Sequence, residues 1–65
     1  MKTREQLVAT AGQLRREIAR LFADAKAWND YARARGVPLI DPDPDGALRR
    51  MADGLDRMLA AEAQR

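Results

Sequence analysis

Leu7, Ala11, Leu14, Ile18, Leu21, Ala25, Trp28 and Ala32 follow one another at intervals of 4, 3, 4, 3, 4, 3 and 4. That alternation marks the a and d positions of a helix with one apolar stripe, sustained for more than three heptads. It predicts a single long helix in the first half of the chain, and both of its ends are signalled. Thr3-Arg4-Glu5-Gln6 fits a capping box, in which the Thr3 hydroxyl accepts from the Gln6 N–H while the Gln6 side chain reaches back. Arg35-Gly36-Val37-Pro38 is a stop: Gly36 suits the left-handed closing position, Val37 folds back toward Ala32, and Pro38 prevents resumption. The helix is expected over about residues 4–35, roughly 48 Å at 1.5 Å per residue.

A second apolar stripe follows at Leu48, Met51, Leu55, Met58 and Leu59. Asp43-Pro44 supplies an N-cap carboxylate and a proline at the first helical position, where a missing N–H costs nothing. Asp45 in the first turn would favour the helix dipole. This helix is expected over about 44–64, roughly 31 Å, with a loop at 36–43 whose Val37, Leu39 and Ile40 fold over Trp28. The fold class is therefore all-α: an antiparallel helical hairpin forming one domain over residues 1–65.

A hairpin of this size has one mutual contact, and chains below about 70–80 residues rarely gather more than 3–5 kcal/mol from a single core. The first helix outlasts the second by about ten residues, roughly 15 Å, which is expected to leave Leu7, Val8, Ala11 and Leu14 without an intramolecular partner. Each large side chain left in water forfeits about 1.5–3 kcal/mol. The expected remedy is a second copy, giving a four-helix bundle whose interface includes Leu7, Ala11, Leu14, Ile18 and Leu21.

Composition narrows the chemistry. The 65-residue chain has no Cys, His or Ser, and its hydroxyls are Thr3, Thr10 and Tyr31. No Ser-His or Cys-His nucleophile pair and no zinc site of the usual N/S type can be assembled. No enzyme activity, cofactor, metal or small-molecule substrate is expected. The absence of disulfides fits a cytoplasmic setting. No run approaches the roughly 18 apolar residues of a membrane span. The early charges at Arg15-Arg16-Glu17 also interrupt any secretory signal, and Lys at position 2 excludes N-myristoylation. The chain is expected to be soluble and complete. Ten arginines against two lysines, with thirteen alanines, fit a GC-rich genome such as that of a bacterium or phage.

Net charge is +2, unevenly placed: residues 1–36 carry eight Lys/Arg and four Asp/Glu, residues 37–65 four Arg and six Asp/Glu. Opposite balances of +4 and −2 favour folding the halves together, and weaken the case for a dedicated nucleic-acid binder.

Three clusters are candidate sites. Asp41-Pro-Asp43-Pro-Asp45-Gly46 matches the opening of a calcium loop, but Ala52 stands where the bidentate Glu belongs, and a stiff capping turn explains every residue. Trp28, Tyr31, Arg35 and Asp41 gather at the loop end. Trp28 lies on the apolar stripe and is expected in the core, with Tyr31 on its flank. Tyr, Arg and a Pro-stiffened acidic turn have the make-up of a protein-binding patch. Arg15, Arg16 and Arg20 form a basic outer face that would suit phosphates. Glu17 and Asp24 dilute its field, and no aromatic interleaves it to stack on bases.

The sequence thus predicts a non-enzymatic, homo-oligomeric helical module, a bacterial or phage regulator or inhibitor acting by binding another protein. The alternative is a nucleic-acid-binding hairpin using the Arg15/Arg16/Arg20 face.

Overall fold

The computed structural model describes residues 3–64; Met1, Lys2 and Arg65 lie outside them. Two helices, α1 (Arg4–Arg35) and α2 (Ala47–Ala63), pack against each other, and no strand occurs among the described residues.

Both ends of α1 form as its sequence dictates. Thr3 Oγ1 accepts from the Gln6 N–H at 3.2 Å, and Gln6 Oε1 accepts from the Thr3 N–H at 2.9 Å, so two orphan donors of the first turn are satisfied reciprocally. At the other end Gly36 adopts φ 70°, ψ 21°. The Val37 N–H then donates to Ala32 O at 3.0 Å, closing the helix in the left-handed conformation that glycine adopts without steric cost.

The start of α2 differs from expectation. It begins at Ala47, not at 44, and its N-cap is Gly46 at φ 77° rather than Asp43. Asp43-Pro44-Asp45-Gly46 forms a turn, with the Gly46 N–H donating to Asp43 O at 3.1 Å. Pro44 therefore occupies the turn and not the first helical position. Asp43 nevertheless caps from outside: Oδ1 accepts from the Leu48 N–H at 2.9 Å and Oδ2 from the Arg49 N–H at 3.0 Å. Asp45 Oδ1 takes the Ala47 N–H at 3.1 Å. The orphan donors that open a helix are thus met by two carboxylates, and the connection lengthens to residues 36–46.

That longer connection changes which part of α1 lacks a partner. The chain runs back beside the last turns of α1, where Asn29 holds Ile40 by both backbone groups: Nδ2 donates to Ile40 O and Oδ1 accepts from Ile40 N, each at 2.8 Å. Helix α2 then starts well down α1 and reaches its beginning, where Arg4 pairs with Glu62. From Val8 onward the N-terminal half of α1 is covered, with Ala11 buried and Val8 half-buried while Leu7 stays exposed; the long stretch lacking a helical partner is the C-terminal one. Val37, Leu39 and Ile40 do not close over Trp28 but remain exposed, because the Asn29 clamp holds this segment by its backbone.

The seam between the helices is built mainly of alanine. Ala11, Ile18, Ala25 and Ala32, every seventh residue of α1, are buried and face a half of the hairpin in which Ala52 is buried. The d positions Leu7, Leu14, Leu21 and Trp28 are all exposed. Trp28, expected in the core, is 44% exposed: alanine at a brings α2 over the a and e positions, and the d row is left outside. Ala32 is wholly buried, but no large side chain among the described residues is. The molecule extends 49 × 22 × 18 Å with a radius of gyration of 15.4 Å, against about 11 Å for a compact domain of this length.

Candidate functional site

The alanine seam divides the hairpin into two unlike flanks. Arg15, Phe22 and Asn29 lie on one side of it along α1, and they are met by polar groups. Arg15 Nε donates to Asp56 Oδ1 at 2.8 Å, the Arg49 guanidinium lies 5.3 Å from the Phe22 ring centre, and Asn29 grips Ile40. These contacts place 15 beside 56 and 22 beside 49, which fixes the helices as antiparallel.

Helical spacing puts Leu14, Leu21 and Trp28 on the opposite side of Ile18 from Arg15 and Phe22. On α2 it puts Met51, Leu55 and Met58 on the opposite side of Ala52 from Arg49 and Asp56. In an antiparallel pair these two sets share a flank. Leu14, Leu21, Trp28, Met51 and Met58 are each 40–52% exposed, and Leu48 and Leu55 are half-buried beneath them. Between Ala47 and Ala61 the ridge of α2 on this side carries no charge. A row of half-exposed apolar side chains on one flank is thereby set against the polar contacts of the other.

The stripe ends in an aromatic–cation ladder. Trp28 and Tyr31 have ring centres 5.6 Å apart at 39°, and the Arg35 guanidinium sits 5.2 Å from the Tyr31 centre, a distance suited to cation–π attraction. Three of the four expected partner-binding residues are therefore brought together. The fourth, Asp41, is engaged elsewhere: its Oδ1 accepts from the Asp43 N–H at 3.0 Å. It borders an open depression of about 450 Å³ that Lys26, Asn29, Asp30, Arg33 and Arg49 also line. Charges there are already matched, with Lys26 3.0 Å and Arg33 3.7 Å from Asp30.

Asp43 is 3% exposed. Burial pushes its carboxyl toward a higher pKa, but the Leu48 and Arg49 N–H groups and the nearby charges of Arg49 and Arg50 outweigh that and hold it below the ordinary Asp value. Asp41, Asp43 and Asp45 each accept from a backbone N–H, so all three carboxylates act as turn and cap. Among the described residues no three ligand-type side chains converge.

The three arginines of the basic face are dispersed. Arg15 turns to Asp56 and Arg20 lies 3.8 Å from Asp24; Arg16 folds along its own helix toward Gly12. Of the five residues expected at an oligomer interface, Ala11 and Ile18 are buried inside the hairpin, while Leu7, Leu14 and Leu21 face outward.

No family model, curated protein or solved structure matches this chain.

Sequence reasoning missed the exposed part of α2. Met51 and Met58 were assigned to the same stripe as Leu48, Leu55 and Leu59. That set spans about 100° of the helix, the ordinary width of a core-facing stripe, so its pattern does not separate the exposed methionines from the half-buried leucines. The Asn29 clamp is equally silent in the sequence, because an asparagine that binds backbone eleven residues away leaves no local pattern.

Proposed function

We propose that this protein is a non-enzymatic interaction module that self-associates through its apolar flank and binds another protein at its loop end, as a small regulator or inhibitor would. The observation that carries this reading is the row of half-exposed Leu14, Leu21, Trp28, Met51 and Met58 beside a seam made of alanine. A second copy covering that row would complete a four-helix bundle. Tyr31 and Arg35 stand beyond the last leucine of the stripe, on a helix end fixed by Gly36 and next to a segment pinned by Asn29. A patch ordered in advance loses little entropy on binding, and Tyr with Arg is a common make-up of binding hot spots.

Light scattering on the full chain at tens of micromolar tests the first half. A dimeric or larger mass and a thermal midpoint that rises with concentration are expected; a fully helical monomer overturns the reading. For the second half, capture from the native host with and without nuclease is compared with the same capture by Tyr31→Ala and Arg35→Ala. Nuclease-resistant capture lost in both variants supports protein binding. Nuclease-sensitive capture that instead depends on Arg16 and Arg20, and falls steeply with salt, would assign the function to nucleic acid.

A further inference from the structure

The apolar flank is self-complementary, and its symmetry says how two copies meet. We propose that the second copy is related by a two-fold axis perpendicular to the helices, so that α1 packs on α1 and α2 on α2, each pair antiparallel. This rests on the self-association proposed above and goes further by fixing the arrangement.

A two-fold interface brings residue i of one copy to residue j of the other and j to i. On α1, Leu7 with Trp28 and Leu14 with Leu21 share one midpoint, between residues 17 and 18. On α2, Met51 and Met58 have theirs between 54 and 55. Because 15 lies beside 56 and 22 beside 49, the two midpoints fall level to within about one residue, roughly 1.5 Å along the helix. A single perpendicular axis can therefore pass through both, as closure of the dimer requires.

Charge favours the same arrangement. Glu17 and Arg20 lie near the midpoint on the edge of α1, and both are loosely held within the hairpin. Glu17 accepts from Gln13 at 3.5 Å, and Arg20 sits 3.8 Å from Asp24 with most of its side chain in solvent. Turned about the proposed axis, Glu17 of the second copy comes level with residue 18, about 1.5 Å along the helix from Glu17 and about 3 Å from Arg20, so two reciprocal Glu17–Arg20 pairs are within reach to offset the two glutamates that also approach across the axis. An axis parallel to the helices would instead lay α1 on the other copy's α2. Glu17 and Asp24 would then meet the uncharged Met51–Met58 ridge, where a carboxylate has no partner to offset its desolvation.

The chain has no cysteine, so disulfide trapping reads the arrangement without background. In Leu14→Cys/Leu21→Cys the two thiols of one chain are two helical turns apart, roughly 10 Å, too far to bridge. Oxidation is expected to give a covalent dimer from this double variant, and a covalent heterodimer from an equal mixture of the two single variants. Each single variant alone should stay uncrosslinked. If the wild-type chain is a dimer by light scattering but these variants fail to link, while mixed Leu21→Cys and Met51→Cys chains do, the perpendicular axis is wrong and the self-association stands. A covalent ladder beyond the dimer also overturns it, and a monomeric wild type removes both. Charge reversal gives an independent reading without cysteines. Glu17→Arg should weaken dimerisation several-fold and Glu17→Arg/Arg20→Glu should restore it; equal weakening in both would count against the proposed pairing.

Discussion

The two flanks of this hairpin flank the same alanine seam yet are closed in opposite ways. On one, Arg15–Asp56, Arg49 over Phe22 and Asn29 on Ile40 satisfy the groups they join and leave them wet. On the other, leucines, methionines and a tryptophan stay about half exposed. The first flank fixes the register of the hairpin. The second holds most of the hydrophobic stabilisation that the sequence could supply and that a lone hairpin leaves unused. Register and stability are therefore separable in this molecule.

Variants that act on one side at a time test that separation. The largest effect is expected from the seam itself. Ile18 is the one large aliphatic among the buried residues described, and Ile18→Ala should cost about 2–5 kcal/mol, measured as a fall in thermal midpoint and in helicity. Next comes the apolar flank: Leu21→Glu should abolish the concentration dependence of the midpoint and reduce the mass to monomer. Had the flank no role, the same change at an exposed site would shift stability by less than about 0.5 kcal/mol.

Asp43 gives a pH-dependent effect. Its carboxyl is held below the ordinary Asp value, so its contribution is complete at neutral pH and is lost as the solution is acidified through about pH 4 and below. Asp43→Asn should lower the midpoint at pH 7 and flatten its acid dependence; an unchanged acid limb would remove the carboxylate from the start of α2.

Smaller changes belong to the polar flank. Asn29→Ala removes two hydrogen bonds, each worth about 1 kcal/mol at most in an accessible place. It should speed amide exchange at Ile40 while sparing the oligomer mass. Arg15→Ala breaks a solvent-exposed ion pair and should cost about 0.2–1 kcal/mol, declining with salt. An effect on mass from either variant would place the interface on the wrong flank.

The elements of this fold were legible where the signal is local. Thr3, Gln6 and Gly36 announce the ends of α1, and the a/d spacing announces its apolar stripe. The start of α2 was misplaced because Asp43-Pro44 is a good helix opening in isolation. Gly46, three residues later, takes a left-handed conformation that delays it. That single shift lets the connection run back along α1 and carries α2 to Arg4, which reverses the end of α1 left uncovered. The loop-end cluster was legible in part: Trp28, Tyr31 and Arg35 are one turn apart and meet through helical spacing alone. Asp41 depends on the path of the connection and went elsewhere.

The alternation of buried a and exposed d residues along α1 has a consequence for how such a chain could change over generations. Ala11, Ile18, Ala25 and Ala32 tolerate little growth, because all four are buried within the hairpin. Leu7, Leu14, Leu21 and Trp28 stand about 40–60° around the helix, half exposed, where the hairpin constrains their size and shape far less. Substitution at the second set rewrites what the hairpin adheres to without redrawing the hairpin. A duplicated copy could drift there into a non-crossing variant, since a clash or unmatched charge at two or three positions suffices to exclude the parent. One heptad then carries two independent texts, one specifying shape and the other specifying company.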